Sequence, residues 1–270
     1  MTWLLGLLIG GLMGVTGAGG GVLAVPALVF GLGLTMQEAA PISMLAVSIA
    51  AWVGAVEGLW RRVVRWRAAI VIAIAAAPFA ALGVTIAHRV PDLALRIVFV
   101  GVLAFVAWRQ LASRAPRAEA EHMAARGHVA TLSPQTGRFV WTRRAWAGFS
   151  AIGAAMGLFS GLLGVAGGFV LVPLLGRWTA LSAAMLVGTS LLVTAMVTSF
   201  GALFSVLHGA SLPWPSAAGF ATSLVAGMLA GRMLVRRLPE RWIKRAFLAL
   251  VIGVALALAV DVARRLLAGA

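Results

Sequence analysis

The chain has 270 residues, of which 62% are hydrophobic and 11% charged, and its formal net charge is +15. A mean hydropathy of +1.03 excludes a soluble globular domain. The apolar runs exceed strand length and do not alternate, which excludes an outer-membrane barrel and predicts an all-α integral membrane protein. The absence of cysteine excludes disulfides, thiol nucleophiles and thiolate metal sites. The positive charge lies almost wholly in loop arginines, so we interpret it as a determinant of topology and expect no nucleic-acid partner.

Eight apolar segments follow one another along the chain. They cover about residues 3–30, 39–60, 68–87, 93–111, 145–175, 180–207, 216–235 and 242–260. A longer polar stretch, rich in charge, separates the fourth segment from the fifth. We therefore predict a first membrane repeat at 1–111, a polar and cytoplasmic linker at 112–144, and a second membrane repeat at 145–270.

A glycine-rich stretch interrupts the first segment of each repeat. Residues 14–21 read GVTGAGGG and are followed by Pro26, whereas residues 161–168 read GLLGVAGG and are followed by Pro173. The stretches and the prolines are both 147 residues apart, and several later positions keep this offset or one of 148. Apolar composition alone does not place glycines and prolines in one register, so the two halves are predicted to be copies of each other.

The arginine-rich loop does not occupy the same position in the two copies. The loop after the second segment carries four arginines at 61–67, whereas its counterpart in the second half carries only His208. Under the positive-inside rule the equivalent loops lie on opposite sides, which predicts an inverted repeat. Inversion requires an odd number of crossings in each repeat. Segments one and five are therefore predicted to be discontinuous or re-entrant helices whose glycine-rich breaks meet near the midplane.

The two glycine-rich breaks are the first candidate binding elements. Glycine permits positive φ and close backbone approach, so N–H groups and a helix N-terminus can converge on a small anion. The candidate residues are Gly17, Gly19, Gly20, Gly21, Gly164, Gly167 and Gly168. Close helix packing is the alternative explanation, and it is favoured for the small-xxx-small runs Gly6-Gly10-Gly14 and Gly157-Gly161.

Three hydroxyls and one carboxylate complete the candidate site. Ser43 and Ser190 occupy equivalent positions and, with Thr189, can donate to an oxyanion, although bonding back to their own helix is the alternative. Glu57 is a candidate carrier of a coupling proton, but an ion pair with Arg61 one turn away is favoured. No Gly-Lys-Ser/Thr motif and no catalytic cluster is present, so we expect no nucleotide site, metal, cofactor or enzymatic activity.

The duplicated breaks resemble those of the TauE/SafE sulfite exporter family. The resemblance rests on residues 17–21 with Pro26, residues 164–168 with Pro173, and Gly188-Thr189-Ser190, and it covers the chain outside 112–144. The first copy has Pro41-Ile42-Ser43 in place of the last motif, so we expect an asymmetric site with more polar contacts in the second half. The resemblance implies a multi-pass transporter of the bacterial inner membrane that moves sulfur oxyanions or organosulfonates, such as sulfite or sulfoacetate, usually outward.

Two other functions are compatible with the same sequence features. An anion channel, or a transporter of another small organic anion, would also need a polar and uncharged path through the bilayer. We favour a secondary transporter that works by alternating access, because the predicted inverted repeats place two equivalent breaks in one molecule. The expected partners are the lipid bilayer, a small anionic substrate and a coupling proton or ion, whereas the oligomeric state is left open.

Overall fold

The computed structural model describes residues 2–112, 139, 141–165, 167–179, 181–210, 213–235 and 240–268. Six helices within this part are long and apolar enough to cross a membrane. The prediction of an all-α, multi-pass membrane protein is therefore confirmed. Most of the predicted linker at 112–144 lies outside the described residues.

The helices of the two halves follow the same order. The first half contains α1 (Thr2–Thr16), a 3-10 helix (Gly17–Leu23), α2 (Ala24–Leu32), α3 (Met36–Trp60), α4 (Trp66–Arg89) and α5 (Asp92–Ala112). The second half contains α6 (Arg143–Leu163), α7 (Gly168–Trp178), α8 (Ala183–Leu207), α9 (Trp214–Val235) and α10 (Glu240–Ala268). Helices α3 and α8 begin and end 147 residues apart, while α4 and α9, like α5 and α10, begin 148 apart. The offsets found in the sequence therefore also separate the helix starts.

Helices α3 and α8 begin at equivalent hydroxyl caps. Thr35 caps α3 in a capping box, because its hydroxyl accepts the Glu38 N–H while the Glu38 carboxylate accepts the Thr35 N–H at 2.9 Å. Ser182 caps α8 with its own hydroxyl. Asp92, at the start of α5, also accepts the Met36 N–H at 2.7 Å, so the first turn of α3 is tied to α5.

Stripes of glycine bring α1 against α9 and α6 against α4. A Cβ on Gly10 would overlap the Leu224 carbonyl oxygen, and one on Gly157 would overlap the Ala76 carbonyl oxygen. The same contact therefore recurs at the offsets of 147 and 148. One turn away, a Cβ on Gly14, Gly153 or Gly161 would likewise overlap a backbone carbonyl oxygen, and one on Gly6 would overlap the Ser223 hydroxyl. The packing interpretation of these small-xxx-small runs is confirmed, because only glycine lets the backbones approach this closely.

Helices α3 and α8 pack against each other at the centre of the molecule. Met44 contacts Gly201, and Gly54 contacts Leu191, so the α8 number falls as the α3 number rises. The two helices are therefore antiparallel. The contacts are also exchanged between the halves, since Gly54 and Gly201, like Met44 and Leu191, are 147 residues apart.

Helices α5 and α10 form a second antiparallel pair. Arg96, near the start of α5, is 3% exposed and donates to Asp92 and, at 2.9 Å, to Asp261 near the end of α10. Arg265 contacts the same Asp261 carboxylate at 3.1 Å. Because two carboxylates surround it, the buried guanidinium is not left as an uncompensated charge.

Candidate functional site

The glycine break of the second half opens the helix. Helix α6 ends at Leu163, and Gly164 follows with φ +68°, in the left-handed region that favours glycine. The Gly164 N–H donates to the Ser160 carbonyl at 2.9 Å. Helix α7 then begins at Gly168, and no side chain caps this end at the N-cap Gly167. The first N–H groups of α7 therefore face the break with a partial positive charge that suits an anion.

Two buried hydroxyls lie beside this break. Ser43 and Ser160 are fully buried, and neither Oγ has a hydrogen-bond partner in the described part of the protein. Ser160 lies one turn before Gly164, and Ser43 lies one turn after Ala40, whose Cα a Cβ on Gly164 would overlap. A buried hydroxyl without a partner costs a fold about 1–3 kcal/mol. Both hydroxyls are therefore suited to donate to a bound oxyanion.

The free space at this end is small. A cavity of about 20 Å³ lies among Ala40, Met44, Gly161 and Leu162, with His88 at its edge. This volume holds about one water molecule. A sulfur oxyanion is larger than that, so the helices must separate here before such an anion can enter.

The glycine break of the first half is filled by the 3-10 helix. Gly17 has φ +76°, close to the value of Gly164, which lies 147 residues later. The 3-10 helix that follows contains the candidates Gly19, Gly20 and Gly21. The Ala24 N–H then donates to the Gly21 carbonyl, so the chain continues directly into α2. Each break therefore contains a glycine in the left-handed conformation, but only the second break is followed by a new helix with a free N-terminus.

The equivalent candidates Gly20 and Gly167 each pack against the helix that precedes their break. A Cβ on Gly20 would lie 2.5 Å from the Met13 backbone nitrogen, and one on Gly167 would lie 3.0 Å from the Met156 side chain. The neighbouring Gly168 is buried as well. Large side chains at these positions would therefore disturb the packing whether or not their N–H groups bind a ligand.

The sequence predicts that the two breaks meet near the midplane, but the left-handed glycines of the two breaks lie far apart along the molecule. Gly17 packs against Val187 in the first turns of α8, and Gly164 packs against Ala40 in the first turns of α3. Because α3 and α8 are antiparallel, these turns lie at opposite ends of a pair about 37 Å long, at 25 residues per helix. The interrupted segments still touch, since the 3-10 helix contacts α7.

The hydroxyls of Thr189 and Ser190 are already engaged. The Ser190 hydroxyl donates to the Leu186 carbonyl at 2.7 Å, which is the bonding back to its own helix that the sequence left open. The Thr189 hydroxyl accepts the Arg65 N–H at 3.0 Å and so ties α8 to the loop before α4. Among the three predicted hydroxyls, Ser43 is the one without a partner in the described residues.

Glu57 forms ion pairs. Its carboxylate contacts Arg61 at 2.9 Å, which confirms the ion-pair interpretation. It also accepts from Arg232 of α9, and the other terminal nitrogen of Arg232 lies 3.4 Å from the Gly54 carbonyl. The ion pair therefore joins α3 to α9 at this end of the molecule, and a role for Glu57 in carrying a proton stays a hypothesis.

Sequence reasoning missed Ser160 and Arg232. Ser160 has Met13 as its equivalent, and Arg232 has Val84, so neither belongs to a duplicated polar pattern. The signal for Ser160 was its place immediately before a glycine stretch. Among the described residues, no group of three or more histidine and carboxylate side chains could hold a metal ion.

Several antiparallel spanning helices around two uncharged, glycine-broken segments define a membrane transport protein rather than a soluble enzyme. The sulfite exporter TauE/SafE family model matches residues 2–258, and the chain belongs to this family. A probable membrane transporter protein of Xylella fastidiosa strain Temecula1 is 30% identical over 256 residues, which are 93% of this chain and 91% of that protein. The probable membrane transporter protein of strain 9a5c is 29% identical over 256 residues, which are again 93% of this chain and 91% of that protein.

A more distant relative shares part of the chain. The probable membrane transporter protein MamO of Paramagnetospirillum magneticum is 30% identical over 114 residues, which are 40% of this chain and 18% of that protein. No solved structure matches the chain. The family and these relatives are membrane transporters and not enzymes.

Proposed function

We propose that the protein is a secondary transporter that exports small sulfur oxyanions or organosulfonates, such as sulfite or sulfoacetate, across the bacterial inner membrane. The observation that carries this proposal is the pair of buried, unpartnered hydroxyls of Ser43 and Ser160 beside the uncapped start of α7. Hydroxyl and backbone N–H donors bind an oxyanion without a buried cation. Such a site releases its ligand more readily than one that pairs the anion with arginine.

The proposed site joins both halves of the chain. Ser43 comes from the first half, whereas Gly164, Gly167 and Gly168 come from the second. At the other end, Gly17, Gly20, Gly21 and Ser190 are the equivalents of these four residues, and we assign them, together with Gly19 and Thr189, to the path of the same anion. The Ser190 hydroxyl already donates to its own helix in this conformation, whereas the Ser43 hydroxyl has no partner among the described residues, so the anion would bind first at the Gly164 end.

An inverted repeat accounts for the packing of the two halves. A two-fold axis that lies across two equivalent helices makes them antiparallel, as α3 and α8 are, and as α5 and α10 are. A residue that contacts its own equivalent must lie near that axis. Trp52 Nε1 donates to Ser199 Oγ at 3.1 Å, and these residues are 147 apart. Because α3 and α8 are long enough to span the bilayer, this axis would lie in the membrane plane.

The first segment is proposed to be a re-entrant hairpin. Gly31, at the end of α2, packs against Leu5 near the start of α1, so the two ends of the segment lie on the same side. Helix α1 has 15 residues, fewer than the roughly 20 needed to cross the hydrocarbon core. In the first half, with α3, α4 and α5 crossing, this arrangement would give the odd number of crossings that inversion requires. In the second half, by contrast, α6 has 21 residues and is itself long and apolar enough to cross, so the structure does not support a re-entrant fifth segment.

In the proposed alternating-access mechanism, the two equivalent ends of the α3–α8 pair open in turn. The end at Gly164 is closed around a water-sized cavity, and the end at Gly17 is held by the contact between Glu57 and Arg232. Rocking one half against the other about the α3–α8 contact would open one end as the other closes. Coupling to a proton or another ion would then drive net export.

Flux into proteoliposomes tests this function. Sulfite, sulfate and sulfoacetate are compared in one counterflow assay, with protein-free liposomes as the control. The expected result is saturable exchange that an outward gradient of the same anion accelerates. Thr222→Val provides a matched variant, because the exposed Thr222 hydroxyl bonds only within α9 and its loss should leave the flux unchanged. A large conductance that does not saturate would contradict a transporter and support an anion channel.

A further inference from the structure

Arg62 occupies a backbone position that favours glycine. It has φ +56°, and it is the one non-glycine residue with positive φ among the described residues. Its equivalent, Gly209, has φ +85°. The two turns share their hydrogen bonds, since Val63 donates to Gly58 and Ala210 donates to Ser205. The fold therefore accepts glycine here, and the arginine is held in a conformation that its side chain disfavours.

Arg62 lines a large basic pocket. The pocket has a volume of about 680 Å³, and its wall also contains Arg65 and Arg67. None of the described residues that line it is acidic. The nearest carboxylate in sequence belongs to Glu57, which is already bound by Arg61 and Arg232. Three arginines therefore line one space, and none of the other described residues that line it carries a carboxylate.

One of these arginines is fixed in place with a donor left over. The Arg65 N–H donates to Thr189, and its terminal nitrogen contacts the Met185 sulfur at 3.4 Å. Its Nε is buried and has no partner in the described part of the chain. The Arg65 side chain is therefore held in the wall of the pocket, so little conformational freedom is lost when its guanidinium binds an oxyanion.

Aromatic rings form the other wall of the pocket. Trp66, Phe139 and Trp141 line it. Phe139 is buried and packs edge-on against Phe149 at a centroid distance of 5.4 Å, so this wall is anchored to α6. The Arg67 guanidinium lies 5.2 Å from the Trp66 ring centroid. The pocket thus combines a cationic side with an apolar side, and its volume suits an organic ligand rather than a bare inorganic ion.

We propose that this pocket is a second binding site, for a phosphate or sulfonate headgroup that carries an apolar body. The headgroup contacts Arg62 and Arg65, and the body lies against Trp66 and Trp141. Such a ligand comes either from the bilayer, as an anionic phospholipid, or from solution, as an amphiphilic phosphate or sulfonate. The proposal does not depend on which anion is transported, because it concerns residues 59–68, Phe139 and Trp141 and not the Ser43 end.

The test uses the purified full chain in two arms. Native mass spectrometry counts phosphatidylglycerol retained from nanodiscs that also contain phosphatidylcholine. Calorimetry compares octyl phosphate with inorganic phosphate in nanodiscs of phosphatidylcholine alone. Arg62→Gly and Arg65→Gln should each weaken binding by about tenfold, the loss expected for one charge-assisted hydrogen bond. Arg62→Gly should not lower the melting temperature, because glycine suits this backbone conformation.

Arg61→Gln is the matched control, because it removes the same charge from the same loop but does not line the pocket. It should change the affinity by less than about twofold if contact rather than diffuse charge binds the ligand. Retention of phosphatidylglycerol identifies a lipid source, and binding of octyl phosphate alone identifies a soluble amphiphile. The proposal is overturned if neither binds, if Arg61→Gln weakens binding as much as Arg62→Gly, or if inorganic phosphate binds as tightly as octyl phosphate.

Discussion

The two ends of the α3–α8 pair are equivalent in position and different in chemistry. At one end Glu57 joins Arg61 and Arg232 in an ion-pair network. The equivalents at the other end are Phe204, His208 and Val84. There the His208 ring lies 6.0 Å from the His88 ring and 3.4 Å from the Thr85 hydroxyl. The duplication therefore gives the two ends the same backbone arrangement, while differences at single positions determine which side-chain contacts close each end.

The two glycine breaks differ in the same way. One is filled by a 3-10 helix, and the other ends α6 and begins α7 afresh. The free hydroxyls of Ser43 and Ser160 lie at the second break, whereas Ser190 near the first is engaged with its own helix. The two ends therefore offer an anion different hydrogen-bond donors, although the course of the backbone is duplicated.

The largest expected effect is a loss of stability when the glycine contacts that both halves share are disrupted. Gly157→Leu and its equivalent Gly10→Leu should each prevent close approach of the paired helices, because the new side chain meets a backbone carbonyl that cannot move away. We expect a destabilisation of about 3 kcal/mol or more, seen as a lower melting temperature in detergent. Gly253→Leu is the control, since nothing lies within 4 Å of a Cβ there. An unchanged melting temperature in either packing variant would refute the shared contact.

The next effect separates the two ends. Ser43→Ala and Ser160→Ala should each weaken sulfite binding about five- to tenfold, because one hydrogen bond to a charged ligand is lost. They should not destabilise the empty protein, since a buried hydroxyl without a partner is removed. Ser190→Ala should change the affinity little, because its hydroxyl is engaged with the Leu186 carbonyl. Equal losses of affinity at Ser43 and Ser190, measured by calorimetry, would show that the ends bind alike.

The smallest effect concerns the ion-pair end. Glu57→Gln removes the charge that holds Arg61 and Arg232, and both pairs are partly exposed. We expect a loss of about 1 kcal/mol or less in stability. The dependence of sulfite flux on an imposed pH gradient should be the same as in the unmodified protein. If that dependence disappears while sulfite exchange persists, Glu57 carries the coupling proton and the ion-pair account is incomplete.

Much of the fold could be read from the sequence, because a duplication leaves a register that can be counted. The offset of 147 predicted equivalent breaks, and Gly17 and Gly164 do share a left-handed conformation. Sequence could not predict how far each interrupted segment reaches, because that depth depends on packing between the halves. The breaks were expected to meet near the midplane; the left-handed glycines lie instead at the starts of α8 and α3, although the 3-10 helix of the first break contacts α7.

The candidate site was harder to predict than the fold. Ser43 and Ser190 are equivalent in sequence, yet one hydroxyl is free and the other bonds to its helix. The spacing that makes these two serines equivalent does not determine which hydroxyl bonds to its own helix. Ser160 and Arg232 have apolar equivalents, so a search for duplicated polar residues passes over them. Asymmetric function in a duplicated protein resides in the positions that the duplication does not preserve.

The central claim is that equivalent positions of the two halves lie on opposite sides of the membrane. The most direct measurement places single cysteines on this cysteine-free chain with Arg61→Cys and His208→Cys, which are 147 residues apart and exposed. A membrane-impermeant maleimide is then applied to right-side-out and inside-out vesicles. The account predicts labelling of position 61 from the cytoplasmic side only and of position 208 from the opposite side only. Labelling of both positions from the same side would contradict it.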